Sequence, residues 1–226
     1  MIGTFVNVGC IVVGSIIGGF LKKGLGQKYQ DVLFCAMGLA ATGLGINAVV
    51  QNMPNSKYPV LFIVSLALGG LLGTIIDLDG KFKKLTDRFS AGGQLSRGIS
   101  TGVLLFCIGT LSILGPIQSA LNGDHTYLFT NATLDLVTSM VLASTYGFGI
   151  IICAGVLLLW QGGIYLLALL LGEFMSPEMM TELSVVGGFL IASSGISILG
   201  IKEIKTMNML PALIVPIAFC AIVGLF

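Results

Sequence analysis

Long apolar runs separated by short polar gaps cover the chain from end to end. Eight stand out, at about 2–21, 32–51, 59–77, 98–120, 132–146, 149–171, 183–201 and 209–226. Most approach the roughly 20 apolar residues that a helix needs to cross a bilayer. Continuous hydrophobicity over such lengths predicts helices, because a helix satisfies its own backbone polar groups in lipid. A membrane barrel would show alternating segments of about ten residues, and that alternation is absent. The pattern predicts an all-α polytopic membrane protein with seven or eight spans in one integral-membrane domain, 1–226. The run 132–146 is short for a crossing and meets Tyr146-Gly147-Phe148-Gly149 with no polar loop. The segment 132–171 is therefore either a half-helix unwinding at the glycines or a pair of helices joined by a tight turn.

Charge adds orientation. Ten of the eleven Lys and Arg residues fall in alternate gaps: Lys22, Lys23 and Lys28; Lys81, Lys83, Lys84, Arg88 and Arg97; Lys202 and Lys205. The other gaps hold Lys57, then Asn122 to His125, then Glu173, Glu178 and Glu182. The basic side is expected in the cytoplasm of a bacterial plasma membrane, with both termini outside. Met1 to Leu21 carries no positive charge, so it reads as an anchored first span and not a cleaved signal.

Composition agrees. Charged residues make up 9% and hydrophobic residues 55%, with mean hydropathy +1.02; soluble domains carry about 25% charged residues. The net charge of +1 leaves no footprint for nucleic acid. The five cysteines lie singly in apolar runs, and His125 is the one histidine. No HExxH, GxSxG or phosphate-binding loop is present, so an enzyme is not expected, nor a cofactor.

Small-residue helices followed by a connector and a helix ending in Leu-Gly recur. GSIIGG (14–19) precedes LFCAMGLAATGLGIN (33–47), LGGLLG (68–73) precedes LLFCIGTLSILG (104–115), and LLLGEF (169–174) precedes VVGGFLIASSGISILG (185–200). The first three spans are expected to recur, inverted, as the last three. Halves 1–77 and 149–226 would then flank central helices 98–146. Such inverted repeats are common in transporters, with the binding site at mid-membrane.

Asp135 is the sharpest candidate residue. At 100° per residue it shares a face with Asn131, Thr138, Ser139 and Tyr146. An ionisable group inside a span is costly unless paired or hydrated, and so points to function; a carboxylate beside hydroxyls suits Na⁺ or a proton. The competing reading puts Asp135 at the membrane boundary, capping a helix N-terminus. Gly3, Asn7, Cys10, Gly14 and Gly18 form a narrow stripe suited to close helix contact, and Gly69 and Gly73 repeat that spacing. Asn7 either packs there or lines a polar path. Gln161, mid-span after Trp160, either gates or bonds a neighbouring helix. Ser144 and Thr145 precede the glycine break at Tyr146, Gly147, Phe148 and Gly149, where freed carbonyls could join an ion site. No metal site is expected beyond a Na⁺ at Asp135.

The pieces GTFVNVGCIVVGSIIGG (3–19), LFCIGTLSILGPIQSALNGD (105–124), LDLVTSMVLASTYGFG (134–149), WQGG (160–163), TELSVVGG (181–188) and LGIKEIKTMNMLPAL (199–213), in that order, resemble a bacterial multi-pass membrane family catalogued as domain of unknown function 554. The resemblance runs through nearly the whole chain. It implies a sodium channel or pump, and it directs attention to Asn7, Asp135, Ser144, Thr145, Gln161 and Glu182. The chain departs from the family pattern at Asn131, where a basic residue is frequent, and at Leu136, where glycine is frequent.

The expected function is movement of a small monovalent cation, Na⁺ or H⁺, across the membrane, with Asp135, Thr138 and Ser139 as oxygen ligands. Two alternatives stand beside it. One is a carrier of a small organic solute in a cavity lined by Tyr146, Phe148, Trp160 and Tyr165; the other is a structural or regulatory subunit without flux. The expected partners are the lipid bilayer, the cation and further copies of the chain, since small-residue faces favour oligomers.

Overall fold

The computed structural model describes residues 1–21, 26–87, 94–172 and 175–223. Lys22, Lys23, Arg88 and Glu173 lie outside the described residues, as do the side chains of Lys83 and Arg97. Among the described residues the chain is helical throughout, without a strand. The helices are α1 (Ile2–Phe20), α2 (Gln27–Asn52), α3 (Leu61–Ile76), α4 (Leu78–Asp87), α5 (Gln94–Ile108), α6 (Thr110–Leu121), α7 (Thr126–Tyr146), α8 (Ile152–Leu171), α9 (Pro177–Ile198), α10 (Thr206–Met209) and α11 (Ile214–Val223).

Five stretches among the described residues are long and apolar enough to cross a membrane: Ile2–Phe20, Gln27–Asn55, Phe148–Leu171, Pro177–Ile198 and Thr206–Val223. The bent pair α5–α6 makes a sixth if taken as one span. The remaining two runs read from the sequence fall short for different reasons. Helix α3 is apolar but has only 16 residues. Helix α7 has 21 residues, but its Asn, Asp, Thr and Ser positions dilute its hydropathy.

Two helices start earlier than the apolar runs suggest, because polar residues nucleate them. Asp124 Oδ1 accepts the Thr126 N–H at 2.9 Å, and α7 begins there and not at 132. It is a full-length helix, so the half-helix reading of 132–146 is replaced by the tight-turn one. Ser176 caps α9 by accepting the Met179 N–H at 3.2 Å, with Pro177 and Glu178 in the first turn. That is a favourable N-terminus on both steric and dipole grounds.

The chain divides into two compact units. The first comprises Met1–Ala36 and Lys81–Leu170; the second comprises Met37–Gly80 and Leu171–Phe226. In the first unit, α1 lies against α7 along its glycine stripe. A Cβ on Gly14 would collide with Ser139 Oγ and the Leu136 carbonyl, and one on Gly18 with the Met140 carbonyl. Backbones approach this closely only where side chains are absent. The apolar centre of this unit joins Ile11, Phe106, Leu142, Ile150 and Leu157.

In the second unit, glycines do the same for α2 and α9. A Cβ on Gly45 would meet the Ala192 amide, and one on Gly195 would meet Thr42. Gly69 and Gly73 of α3 lie against Ala212 and Asn208. Phe62 stacks on Phe189 at 4.6 Å, and Tyr58 meets Phe219 edge-on at 4.9 Å.

Candidate functional site

Asp135 sits about two and a half turns past Thr126 in α7, so it does not cap the helix. Its residue is 4% exposed. One neighbour on its own helix satisfies it directly: Asn131 Nδ2 donates to Asp135 Oδ2 at 2.9 Å. Asn7 of α1 turns its side-chain amide to the same carboxylate at a looser geometry than the Asn131 bond, and its Oδ1 has no hydrogen-bond partner. Cys10 of α1 and Cys107 of α5 also feel the Asp135 charge. Three helices therefore converge on this group.

Further buried polar atoms lie on the same elements. Thr4 and Ser15 on α1 are fully buried, and their hydroxyl oxygens lack a hydrogen-bond partner. Gln161 on α8 is fully buried; its Nε2 donates to Ser112 Oγ at 3.1 Å, while its Oε1 is unpartnered. The Trp160 indole nitrogen beside it is also unpartnered. Unpaired polar atoms are costly in a dry interior and ordinarily rare.

The other sequence candidates separate into two groups. Thr138 and Ser139 are buried near Asp135, with the Ser139 hydroxyl donating to the Leu136 carbonyl at 2.9 Å. Ser144 and Thr145 are not brought to the site. Roughly 14 Å separates Ser144 from Asp135 along the helix, and both hydroxyls donate to the Val141 carbonyl. The segment Tyr146 to Gly149 is a turn between two complete helices. Gly147 takes φ +89° and donates its N–H to the Ala143 carbonyl at 2.8 Å, which closes the end of α7. Phe148 contacts Phe20 edge-on, and Trp160 contacts Phe82.

A sharp bend between two apolar helices lies elsewhere. Helices α5 and α6 meet at Gly109 with a 48° bend, and Pro116 sits inside α6. The sequence signal was a glycine set among polar residues in an apolar run, Cys107-Ile-Gly-Thr-Leu-Ser112; it was legible as a repeat piece but not as a break.

In the second unit, Glu182 is buried and acts as a staple. Its Oε1 accepts the Ser56 hydroxyl at 2.7 Å and the Tyr58 N–H at 3.2 Å. Nearby, Lys57 Nζ donates to Glu178 Oε1 at 2.8 Å across the surface; that hydrogen bond raises the Lys57 ammonium above its ordinary pKa.

With this arrangement described, comparison with known proteins adds its part. A family profile described as "Protein of unknown function (DUF554)" matches residues 2–221. The chain belongs to the DUF554 family. Among DUF554 relatives, it is 58% identical over 216 residues to the uncharacterized membrane protein YdfK of Bacillus subtilis, covering 96% of this chain and 94% of that one. It is 29% identical over 231 residues to the uncharacterized protein YqgA of Escherichia coli, covering 98% and 97%. No solved structure matches.

Proposed function

We propose that this DUF554 protein moves a small monovalent cation, Na⁺ or H⁺, across the bacterial cytoplasmic membrane, binding it at Asp135. One observation carries the reading: a buried carboxylate whose direct donor is a neutral amide. Among the described residues the recorded ion pair is Lys57 with Glu178, remote in sequence and on the surface. A charge held in a low-dielectric interior without a counter-charge is strongly disfavoured. A visiting cation supplies the counter-charge, and Asn7, whose side-chain amide turns to the carboxylate, adds a neutral oxygen that has no other partner.

The topology we propose is eight passes, counting the short α3 and the polar α7, with both termini outside and the Lys-rich gaps in the cytoplasm. We further propose an inverted repeat of α1–α3 in the last three spans. Its support is a constant register: α1 and α8 begin at Ile2 and Ile152, and α2 and α9 at Gln27 and Pro177, each pair 150 positions apart (152 minus 2; 177 minus 27). The glycine pairs Gly38/Gly45 and Gly188/Gly195 keep the same separation.

The test is flux into proteoliposomes. Wild type is expected to carry ²²Na⁺ or protons down an imposed gradient, with Asp135→Asn at least tenfold slower. Equal flux in the two proteins removes Asp135 from the mechanism, and absence of flux for both ions removes the proposal.

A further inference from the structure

The break at Gly109 falls near the height of Asp135. On either side of the bend α5 and α6 run antiparallel to α7: Gly98 lies against Tyr146, Gly102 packs between Cys153 and Leu142, and Gly115 lies against Leu128. Over the 17 residues from Gly98 to Gly115, α7 falls back by 18, from Tyr146 to Leu128, and interpolating between these contacts sets Gly109 at about the level of Leu134 and Asp135.

The break changes what the backbone offers. Gly109 takes φ −58° and ψ 139°, an extended conformation between two helices. In an uninterrupted helix the Ser112 N–H would bond the Ile108 carbonyl; here it bonds the Gly109 carbonyl at 2.9 Å. The last-turn carbonyls of α5 thus come to the end of their helix, where intrahelical donors run out and the dipole is negative. Asn7, fully buried, turns its side-chain amide to the Asp135 carboxylate, and its Oδ1 has no hydrogen-bond partner.

We propose that the α5 carbonyls at the Gly109 break, together with Asp135 and Asn7, form a binding site for a dehydrated alkali metal cation. This deepens the reading of Asp135 given above and rests on it. A proton needs one carboxylate oxygen and gives no role to an amide oxygen and a row of carbonyls. A metal ion stripped of water needs several oxygens at once. A single carboxylate balances a single charge, so a divalent ion would remain half compensated. Interrupted helices in transporters place carbonyl ends on cations in this way.

The experiment uses the full-length chain in lipid nanodiscs at fixed pH and ionic strength, with choline replaced by Li⁺, Na⁺ or K⁺. Thermal stability and the fluorescence of Trp160, the single tryptophan, are read against cation concentration. The expected result is a saturable response to at least one alkali cation. Its midpoint rises at least tenfold in Gly109→Ala, which favours a continuous helix, and the response disappears in Asp135→Asn. The added methyl has room, since the nearest atom to a Cβ at 109 is the Leu105 carbonyl oxygen at 3.9 Å. Should Gly109→Ala nonetheless fail to fold, Asn7→Ala takes its place, with a raised midpoint expected. No response to any of the three cations, or a midpoint unchanged in the folded variant, overturns the inference. Asp135-dependent proton flux without an alkali response would leave the transport proposal standing and this one refuted.

Discussion

Asn131 donates its side-chain amide to Asp135 one turn further along the same helix, at 2.9 Å. The donor is neutral, so it orients the carboxylate without cancelling its charge. A basic residue at this position would pair the charge outright; with Asn131 the balance is left open. Asp135→Asn keeps an acceptor for this bond, because an Asn side-chain carbonyl also accepts, though more weakly than a carboxylate. In cation-free buffer this variant is therefore expected to gain stability, by about 1 kcal/mol or more, through loss of a buried unpaired charge. Thermal unfolding in detergent checks it. A clear loss of stability would make Asp135 a structural anchor.

Glycines at helix contacts should be intolerant in proportion to what lies opposite. Gly69 lies against the Ala212 backbone, whereas Gly70 has open space around its would-be Cβ. Gly69→Ala is expected to destabilise the protein by about 1–3 kcal/mol, and Gly70→Ala to be neutral or slightly stabilising in the helix. Paired melting curves separate these outcomes, and similar effects at both sites would refute the α3 contact.

Glu182 and the pair Lys57–Glu178 occupy the same end of α9 but differ in burial. Glu182→Leu leaves the Ser56 hydroxyl without its acceptor and the Tyr58 N–H with Ser56 Oγ alone, at 3.1 Å, at a cost of about 1–3 kcal/mol. Faster hydrogen exchange at the Tyr58 amide is the expected readout. Lys57→Ala removes a solvent-exposed ion pair and should leave global stability unchanged.

The orientation is open to labelling. In a cysteine-free background, Asn55→Cys is expected to react with a membrane-impermeant maleimide applied to intact cells, and Lys202→Cys only after permeabilisation. The reverse pattern inverts the proposed topology.

Membrane character, helical class and family membership were legible from the sequence, because each depends on residue type alone. Twenty apolar residues in a row have one good solution in lipid, and they reveal it without reference to any neighbour. Helix starts were less legible: Asp124 and Ser176 begin α7 and α9 upstream of their apolar runs, and a hydropathy window does not register one side-chain oxygen accepting one N–H. The glycine break was legible in part. Of the two readings open for Tyr146 to Gly149, the tight turn is the one the structure has, because α7 extends back to Thr126 and these residues join two complete helices; the further bend at Gly109 was not read from the sequence.

What the sequence determined by itself was the solvent this chain lives in, and a carboxylate set among hydroxyls in an apolar run. Tertiary structure decided that this carboxylate is buried and which other helices meet it. Asn131 reaches Asp135 along α7 itself, but Asn7 does so only because glycine stripes let α1 approach α7. Close approach depends on the shape of both surfaces at once, and one surface read along its own helix does not contain the other.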